Sequence, residues 1–117
     1  MRSVRVLVAN EPRAYREAFV GALQTLCPAA EIMEAKPEDL DQEVKRARPD
    51  LVLCSRTTSL LERTVHNWIL LYPEGEPSIM IFTCGELSTV ANFDLNDLVS
   101  LVNRTAATID YVRAPSP

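Results

Sequence analysis

Four residues with carboxylate, amide or hydroxyl side chains stand where apolar runs of the sequence stop. Asn10 and Glu11 follow the run VRVLVA. Ser55 follows LVLC, and Thr83 ends SIMIFT. In open α/β sheets, side chains at the carboxyl ends of strands can line a pocket for an ion or small ligand. A serine hydroxyl becomes a good nucleophile only beside a base, and no base is evident near Ser55 in the sequence. We therefore expect a binding or regulatory site and no enzymatic activity.

Two kinds of hydrophobic period alternate in the first half of the chain. The apolar runs at 4–9 and 51–54 predict buried strands, and the alternating EIMEA at 31–35 predicts a half-exposed strand. Between them, apolar residues recur every three or four positions, which predicts two helices. The first helix begins at Pro12, and its stripe comprises Tyr15, Ala18, Phe19, Ala22, Leu23 and Leu26. The second is shorter and covers 37–48.

The second half of the chain breaks this alternation. One face of a predicted helix carries Leu61, Val65, Trp68, Ile69 and Tyr72, and Pro73 and Gly75 end it. A strand at 78–83 follows, and the segment CGEL separates it from a strand at 88–93. That segment is too short for a crossover between parallel strands. We therefore expect a hairpin that turns at Gly85.

The last helix has a predicted start at Asp94. Asp97 stands at the third helical position, which gives a carboxylate variant of the capping box. Apolar residues follow at helical spacing, so this helix should pack on the last two strands.

This order of elements predicts one α/β domain with a right-handed, mostly parallel sheet. We expect a three-layer sandwich of five strands, in which the fifth is an antiparallel edge strand after Gly85. A chain of 117 residues is long enough for one core. The domain is assigned to 1–108. Residues 109–117 end in two prolines and are interpreted as a tail or the start of a linker.

Composition limits the classes of partner. The apolar share of 47% and the charged share of 24% are those of a globular protein. A net charge of −4 makes nucleic acid an improbable partner, because phosphate binding needs a basic field. The sequence contains neither a signal peptide nor an apolar run that could span a membrane, so we expect a cytoplasmic protein without membrane contact.

Two further sets of residues have a structural interpretation. Three cysteines without close spacing make neither a disulfide framework nor a zinc site, and we expect reduced thiols. Arg2, Arg5, Arg13 and Arg16 make the first part of the chain basic, and we interpret them as a solvated face.

The first eighty or so residues resemble a response-regulator receiver domain, which has a CheY-like, or flavodoxin-like, fold. VLVANEPRAYREAF is similar to that family's first strand, acidic pair and first helix, and places Asn10 and Glu11 on the acidic positions. RPDLVLCS is similar to the third strand and places Ser55 where receivers carry the phosphorylated aspartate. PSIMIFT resembles the fourth strand, with Thr83 on the hydroxyl position.

The departures from this family pattern concern its chemistry. Receivers need a carboxylate nucleophile, a bound Mg²⁺ and a lysine that pairs with the acyl phosphate. Here Ser55 replaces the aspartate, Ala91 falls on the lysine position, and the family's fourth helix has no counterpart. The resemblance therefore implies a site that has lost phosphorylation. Ser55 itself is interpreted as a strand-end residue that bonds local backbone.

Three functional hypotheses follow. The first is a non-catalytic, receiver-like module of two-component bacterial signalling that acts through protein contact, as a homodimer or with another protein, and has no cofactor. Trp68 and Tyr72 are core residues or else a partner surface. The second is a domain that responds to an ion or small ligand at the residual pocket, with Glu11 as a possible Mg²⁺ ligand. The third is the N-terminal regulatory domain of a transcription regulator.

Overall fold

The structure is a computed structural model that describes residues 3–71, 78–83 and 85–113, with side chains up to residue 109. Among these residues it contains strands, α-helices and one short 3₁₀ turn at Pro37–Asp39. The strands are β1 (Arg5–Ala9), β2 (Glu31–Glu34), β3 (Leu51–Cys54), β4 (Asn67–Leu71), β5 (Ile79–Thr83) and β6 (Glu86–Val90). The helices are α1 (Arg13–Leu26), α2 (Leu40–Ala47), α3 (Ser59–Thr64) and α4 (Leu95–Arg113).

The described strands form one mixed sheet of six strands in the order β2-β1-β3-β4-β5-β6. The first four in this order are parallel. β5 is antiparallel to β4, and β6 is antiparallel to β5. The α/β class is confirmed. The prediction of five strands is wrong, because β4 is a strand that the sequence periodicity did not indicate, and the strand at 78–83, predicted to be parallel, is antiparallel to it.

The additional strand comes from the segment predicted as one long helix at 59–75. Thr58 caps α3 through a hydrogen bond from the Leu61 amide to its hydroxyl, at 3.1 Å. The helix ends at Thr64, and Val65 is already extended. The next run, NWILL, is apolar on every side, and all but its first residue are buried. A helix could bury only one side of this run, whereas an interior strand buries both.

The direction of β5 follows from the same change. The segment from 72 to 78 is too short to contain the helix that a parallel connection needs, so β5 returns alongside β4 in the opposite direction. Tyr72 lies outside the described residues. The hairpin between β5 and β6 is confirmed, and Gly85 has the positive φ of 81° that its turn requires.

Helices cover both faces of the sheet, which is compatible with a three-layer α/β arrangement. On one face, α1 and α4 contribute Leu23, Leu98 and Leu101 to a buried cluster with alternate residues of β1, β3 and β4. On the other face, α2 and α3 contribute Leu40 and Leu61 to a second cluster. Each such side chain contributes roughly 1.5–3 kcal/mol when it is fully buried.

The start of α4 is the predicted capping box. The Asp94 amide donates to the Asp97 carboxylate at 3.0 Å, and the Asp97 amide donates to the Asp94 carboxylate at 2.9 Å. These bonds satisfy amide groups that the helix leaves free at its first turn. α4 continues to Arg113, so the helix includes the beginning of the segment assigned to a tail. In the described part of the chain, no helix is both long and apolar enough to cross a membrane.

Candidate functional site

The ends of β1 and β3 bring three of the sequence-predicted residues together. These strands are parallel neighbours, with Ala9 in register with Cys54. Asn10 and Glu11 follow β1, and Ser55 follows β3, so all three lie at the carboxyl edge of the sheet. Open α/β sheets bind their ligands at this edge, which makes it the candidate site.

Ser55 bonds the backbone of Glu11 on both sides of its hydroxyl. Its Oγ accepts a hydrogen bond from the Glu11 amide at 2.7 Å. The same hydroxyl donates to the Glu11 carbonyl oxygen at 3.4 Å. Both the donor and an acceptor position of the hydroxyl are thus used to fasten the end of β1 to the end of β3. Both of these hydrogen-bond partners are backbone groups, and neither is a general base of the kind that activates a serine hydroxyl.

The neighbouring thiol is also unreactive. Cys54 is 1% exposed, and burial raises the pKa of its thiol to about 12. Its Sγ donates to the carbonyl oxygen of Ile69 at 3.5 Å. Since the thiolate is the nucleophilic form of cysteine, Cys54 serves as a small apolar core residue at neutral pH.

Asn10 is the most deeply buried polar residue of the site. Its side chain is 1% exposed, and among the described residues its Oδ1 has no hydrogen-bond partner. An unsatisfied buried acceptor costs on the order of 1–3 kcal/mol. The site therefore holds one oxygen that a bound cation or a donor group could engage.

Arg16 lies beside Asn10 and is a site residue that the sequence did not indicate. Its Nη1 donates to the Asn10 carbonyl oxygen at 3.3 Å, and its Nε donates to the Glu34 carboxylate at 2.9 Å. Arg16 is only 7% exposed, so the expected solvated face does not include it. The signal that could have found it is its spacing of seven residues from buried Leu23, on one helical stripe. Tyr15 and Leu26, which were assigned to the stripe, are instead exposed.

An open cavity of about 310 Å³ adjoins this network. Its charged lining residues are Glu11, Arg13, Arg16, Lys36 and Glu38. Three cations and two carboxylates make it weakly basic. In the described part of the chain, no group of three or more acidic, histidine or cysteine residues could hold a metal ion, so Glu11 would need ligands of other types.

Thr83 and Ala91 do not join this site. Thr83 ends β5 and pairs with Asn67, the first residue of β4. It therefore lies where the parallel strands begin, at the opposite end of the sheet from Asn10, Glu11 and Ser55. The reversed direction of β5 is the reason. Ala91 follows β6, which is three strands away from β3 in the sheet order. At about 4.8 Å per strand, this is roughly 14 Å from the end of β3.

Trp68 belongs to the core. It is 5% exposed on β4, and its ring stacks on that of Phe82 with centroids 5.3 Å apart. Its Nε1 has no hydrogen-bond partner among the described residues. Of the two interpretations of Trp68, the structure matches the core residue.

A partly uncovered apolar surface lies beyond Trp68 on the same side of the sheet. The ladder from Trp68 continues to Phe82 on β5 and Leu87 on β6, and a second ladder joins Leu70, Met80 and Thr89. Phe82 and Met80 are half-buried, Thr89 is exposed, and Leu87 is 55% exposed. We call Met80, Phe82, Leu87 and Thr89 the open face. The sequence missed it because the segment before β5 was taken as helix.

Comparison with known proteins finds no protein-family model, curated protein or solved structure that matches this chain. The two features that bear on function are the geometry of the carboxyl edge and the open face.

Proposed function

We propose that the chain is a non-catalytic, receiver-like regulatory module that acts in the cytoplasm through protein contact. The observation that carries the proposal is the bonding of Ser55, which stands where the resembled family has its phospho-acceptor aspartate. Its hydroxyl is bonded to the Glu11 amide at 2.7 Å and to the Glu11 carbonyl group. The residue that could have accepted a phosphoryl group instead fastens two strands.

The strand order supports the receiver-like part of this proposal. The order β2-β1-β3-β4 with parallel strands and helices on both faces agrees with the flavodoxin-like order 2-1-3-4-5 over its first four positions. The antiparallel β5 and the added β6 depart from it. They lie beyond β4, on the side where the resembled family has the strand that carries its lysine, which agrees with a loss of phosphorylation.

The absence of an activated group at the carboxyl edge supports the non-catalytic part. Ser55 has both hydrogen-bonding directions occupied, and Cys54 is protonated at neutral pH. The open face supports the protein-contact part, since exposed apolar surface next to a sheet edge is typical of interaction sites.

The test is exposure of the protein to acetyl phosphate and Mg²⁺, followed by intact mass measurement. We expect no added phosphoryl mass and no change in the amide NMR signals of Glu11 and Ser55. The matched control is Ser55→Ala. A phosphoryl adduct on the wild-type protein that is lost in Ser55→Ala would refute the proposal.

A second candidate function is recognition of an ion or small anion at the carboxyl edge. A cation is favoured by the unpartnered, buried acceptor Oδ1 of Asn10. A small anion is favoured by Arg13, Arg16 and Lys36 in the lining of the cavity. Separate NMR titrations with Mg²⁺ and with inorganic phosphate test it. Saturable shifts at Asn10 that Glu11→Gln removes and Glu62→Gln retains would support an Mg²⁺ site. Saturable shifts with phosphate alone would support an anion site, and unchanged spectra would exclude both.

A further inference from the structure

β6 has an unpaired edge among the described residues, since it is the last strand in the sheet order and pairs with β5 alone. In an antiparallel ladder, alternate residues direct their amide and carbonyl groups away from the partner strand. Proteins commonly block such edges with lysine, proline or a bulge. β6 has the sequence ELSTV, which contains neither lysine nor proline, and its only charged residue is Glu86. The edge is therefore open to pairing with another strand.

The open face gives this edge an apolar side. Burial decreases across the sheet from Trp68, which is buried, through half-buried Phe82 to exposed Leu87. The other side of the hairpin is different, because Ile81, Val90 and Phe93 pack against the cluster that α4 helps to form. One side of the sheet edge is thus covered by a helix, while the apolar ladder on the other side ends in solvent.

We propose that a second copy of this chain pairs with the edge, β6 to β6 in antiparallel orientation, with Ser88 at the two-fold axis. The inference deepens the proposed function and rests on it, because it names the partner of a module that acts through protein contact. A two-fold axis perpendicular to the sheet relates antiparallel strands and keeps the open faces of both copies on the same side. The two sheets then continue as one.

The distribution of charge and apolar side chains selects this register. Pairing centred on Ser88 places Leu87 of one copy opposite Thr89 of the other, so the two open faces join at their apolar ends. It also places Glu86 opposite Val90. The two Glu86 carboxylates are then about four residues apart along the strands, roughly 14 Å, which exceeds the Debye length at physiological salt.

Registers centred on Thr89 or Val90 leave Leu87 opposite residues that follow β6 and so pair only part of the strand. Registers centred before Ser88 are worse because of charge. A pairing centred on Glu86 places the two carboxylates directly opposite each other, where like charges destabilise a sheet. A pairing centred on Leu87 brings them to about 7 Å along the strands. The strand sequence is therefore compatible with a copy of itself in the Ser88-centred register.

The first experiment measures the molar mass of the wild-type protein over a range of concentrations by sedimentation equilibrium. We expect a reversible dimer. The variant Leu87→Lys should raise the dimer dissociation constant about 100-fold, about tenfold for each leucine that leaves the interface. Tyr15→Lys is the matched control, since Tyr15 is an equally exposed large side chain on α1 and should leave the dimer intact. Far-UV circular dichroism verifies that each variant is folded.

The second experiment tests the register. In a protein whose Cys84 is replaced by serine, Ser88→Cys places two thiols opposite each other at the axis, within the range of Cα distances that a disulfide spans. Oxidation should give a covalent dimer. The matched control Thr89→Cys places the two thiols two residues out of register, beyond about 7 Å between Cα atoms, and should not cross-link.

A wild-type protein that stays monomeric at all concentrations would overturn the inference, as would a dimer that Leu87→Lys leaves unchanged. Efficient cross-linking through Thr89→Cys in place of Ser88→Cys would overturn the register. These results are independent of the phosphorylation test. An unphosphorylated monomer refutes the dimer alone, whereas a phosphorylated dimer refutes the non-catalytic function alone.

Discussion

Replacement of Trp68 by phenylalanine should not appreciably destabilise the protein, although Trp68 is a large buried residue of the sheet. The ring of Trp68 is 5% exposed and stacks on Phe82 at 5.3 Å with an interplanar angle of 20°. Phenylalanine retains this stacking geometry. It also removes the indole N–H, which has no partner among the described residues.

Two opposing contributions determine the magnitude. Loss of the second ring leaves a small cavity, which costs about 1–1.5 kcal/mol when counted as one or two buried methylene groups. Removal of an unsatisfied buried donor returns about 1–3 kcal/mol. The expected net change in the free energy of unfolding lies between a loss of about 0.5 kcal/mol and a gain of about 2 kcal/mol. Trp68→Ala should instead cost about 3–5 kcal/mol.

Urea unfolding followed by far-UV circular dichroism measures these differences without depending on tryptophan fluorescence. Ile69→Val is the matched control on the same strand. It removes one buried methylene group without removing an unsatisfied donor, so it should cost about 0.5–1.5 kcal/mol. A loss of more than about 2.5 kcal/mol in Trp68→Phe would mean that the indole N–H is hydrogen-bonded in the folded protein, and the reasoning would be refuted.

Three further predictions concern other parts of the fold. Ser55→Ala should lower the free energy of unfolding by about 0.5–1.5 kcal/mol in urea titrations, because the Glu11 amide loses its intramolecular acceptor but can bond water. A loss above about 3 kcal/mol would contradict this account. Arg48→Gly should stabilise the protein by about 0.5–1 kcal/mol, because Arg48 ends α2 with φ at 49°, where a Cβ is unfavourable. Lys45→Gly, inside the same helix, should destabilise it by about 1 kcal/mol, and equal effects of the two would refute the assignment of strain. Finally, burial raises the pKa of Cys54 from the ordinary 9.0 to about 12. The unfolded thiol loses its proton first as pH rises, so this stabilisation is fully present below about pH 9. It is lost above that, by about 1.4 kcal/mol per pH unit, until pH approaches 12. Cys54→Val should lack this slope, and identical pH profiles of the two proteins would show that the thiol titrates normally.

The parts of the fold that the sequence predicts are those with a local cause. The hairpin follows from a short segment with a glycine, and the α4 cap follows from two aspartates three residues apart. The meeting of Asn10, Glu11 and Ser55 follows from two parallel strands whose carboxyl ends share an edge.

The parts that could not be predicted depend on distant contacts. The segment around Trp68 has apolar residues at helical spacing and is also a continuous apolar run, so periodicity alone does not distinguish helix from strand. Its pairing with β3 decides the matter. Because β4 was not predicted, β5 was taken as a parallel strand, and Thr83 was placed at the carboxyl end of the sheet with Ser55. The buried position of Arg16 on α1 involves an ion pair with Glu34, which lies on β2.

The change from parallel to antiparallel pairing at β4 also affects which strands can pair early in folding. β1 precedes the other described strands in the chain, yet the Arg5 amide bonds Asp50, 45 residues later. Its place in the sheet therefore requires closure of a long loop, with the entropy loss that this entails. β4, β5 and β6 are synthesised later but pair with their nearest neighbours through short connections. Local pairing is favoured kinetically, so these three strands are expected to pair before β1 takes its place between β2 and β3.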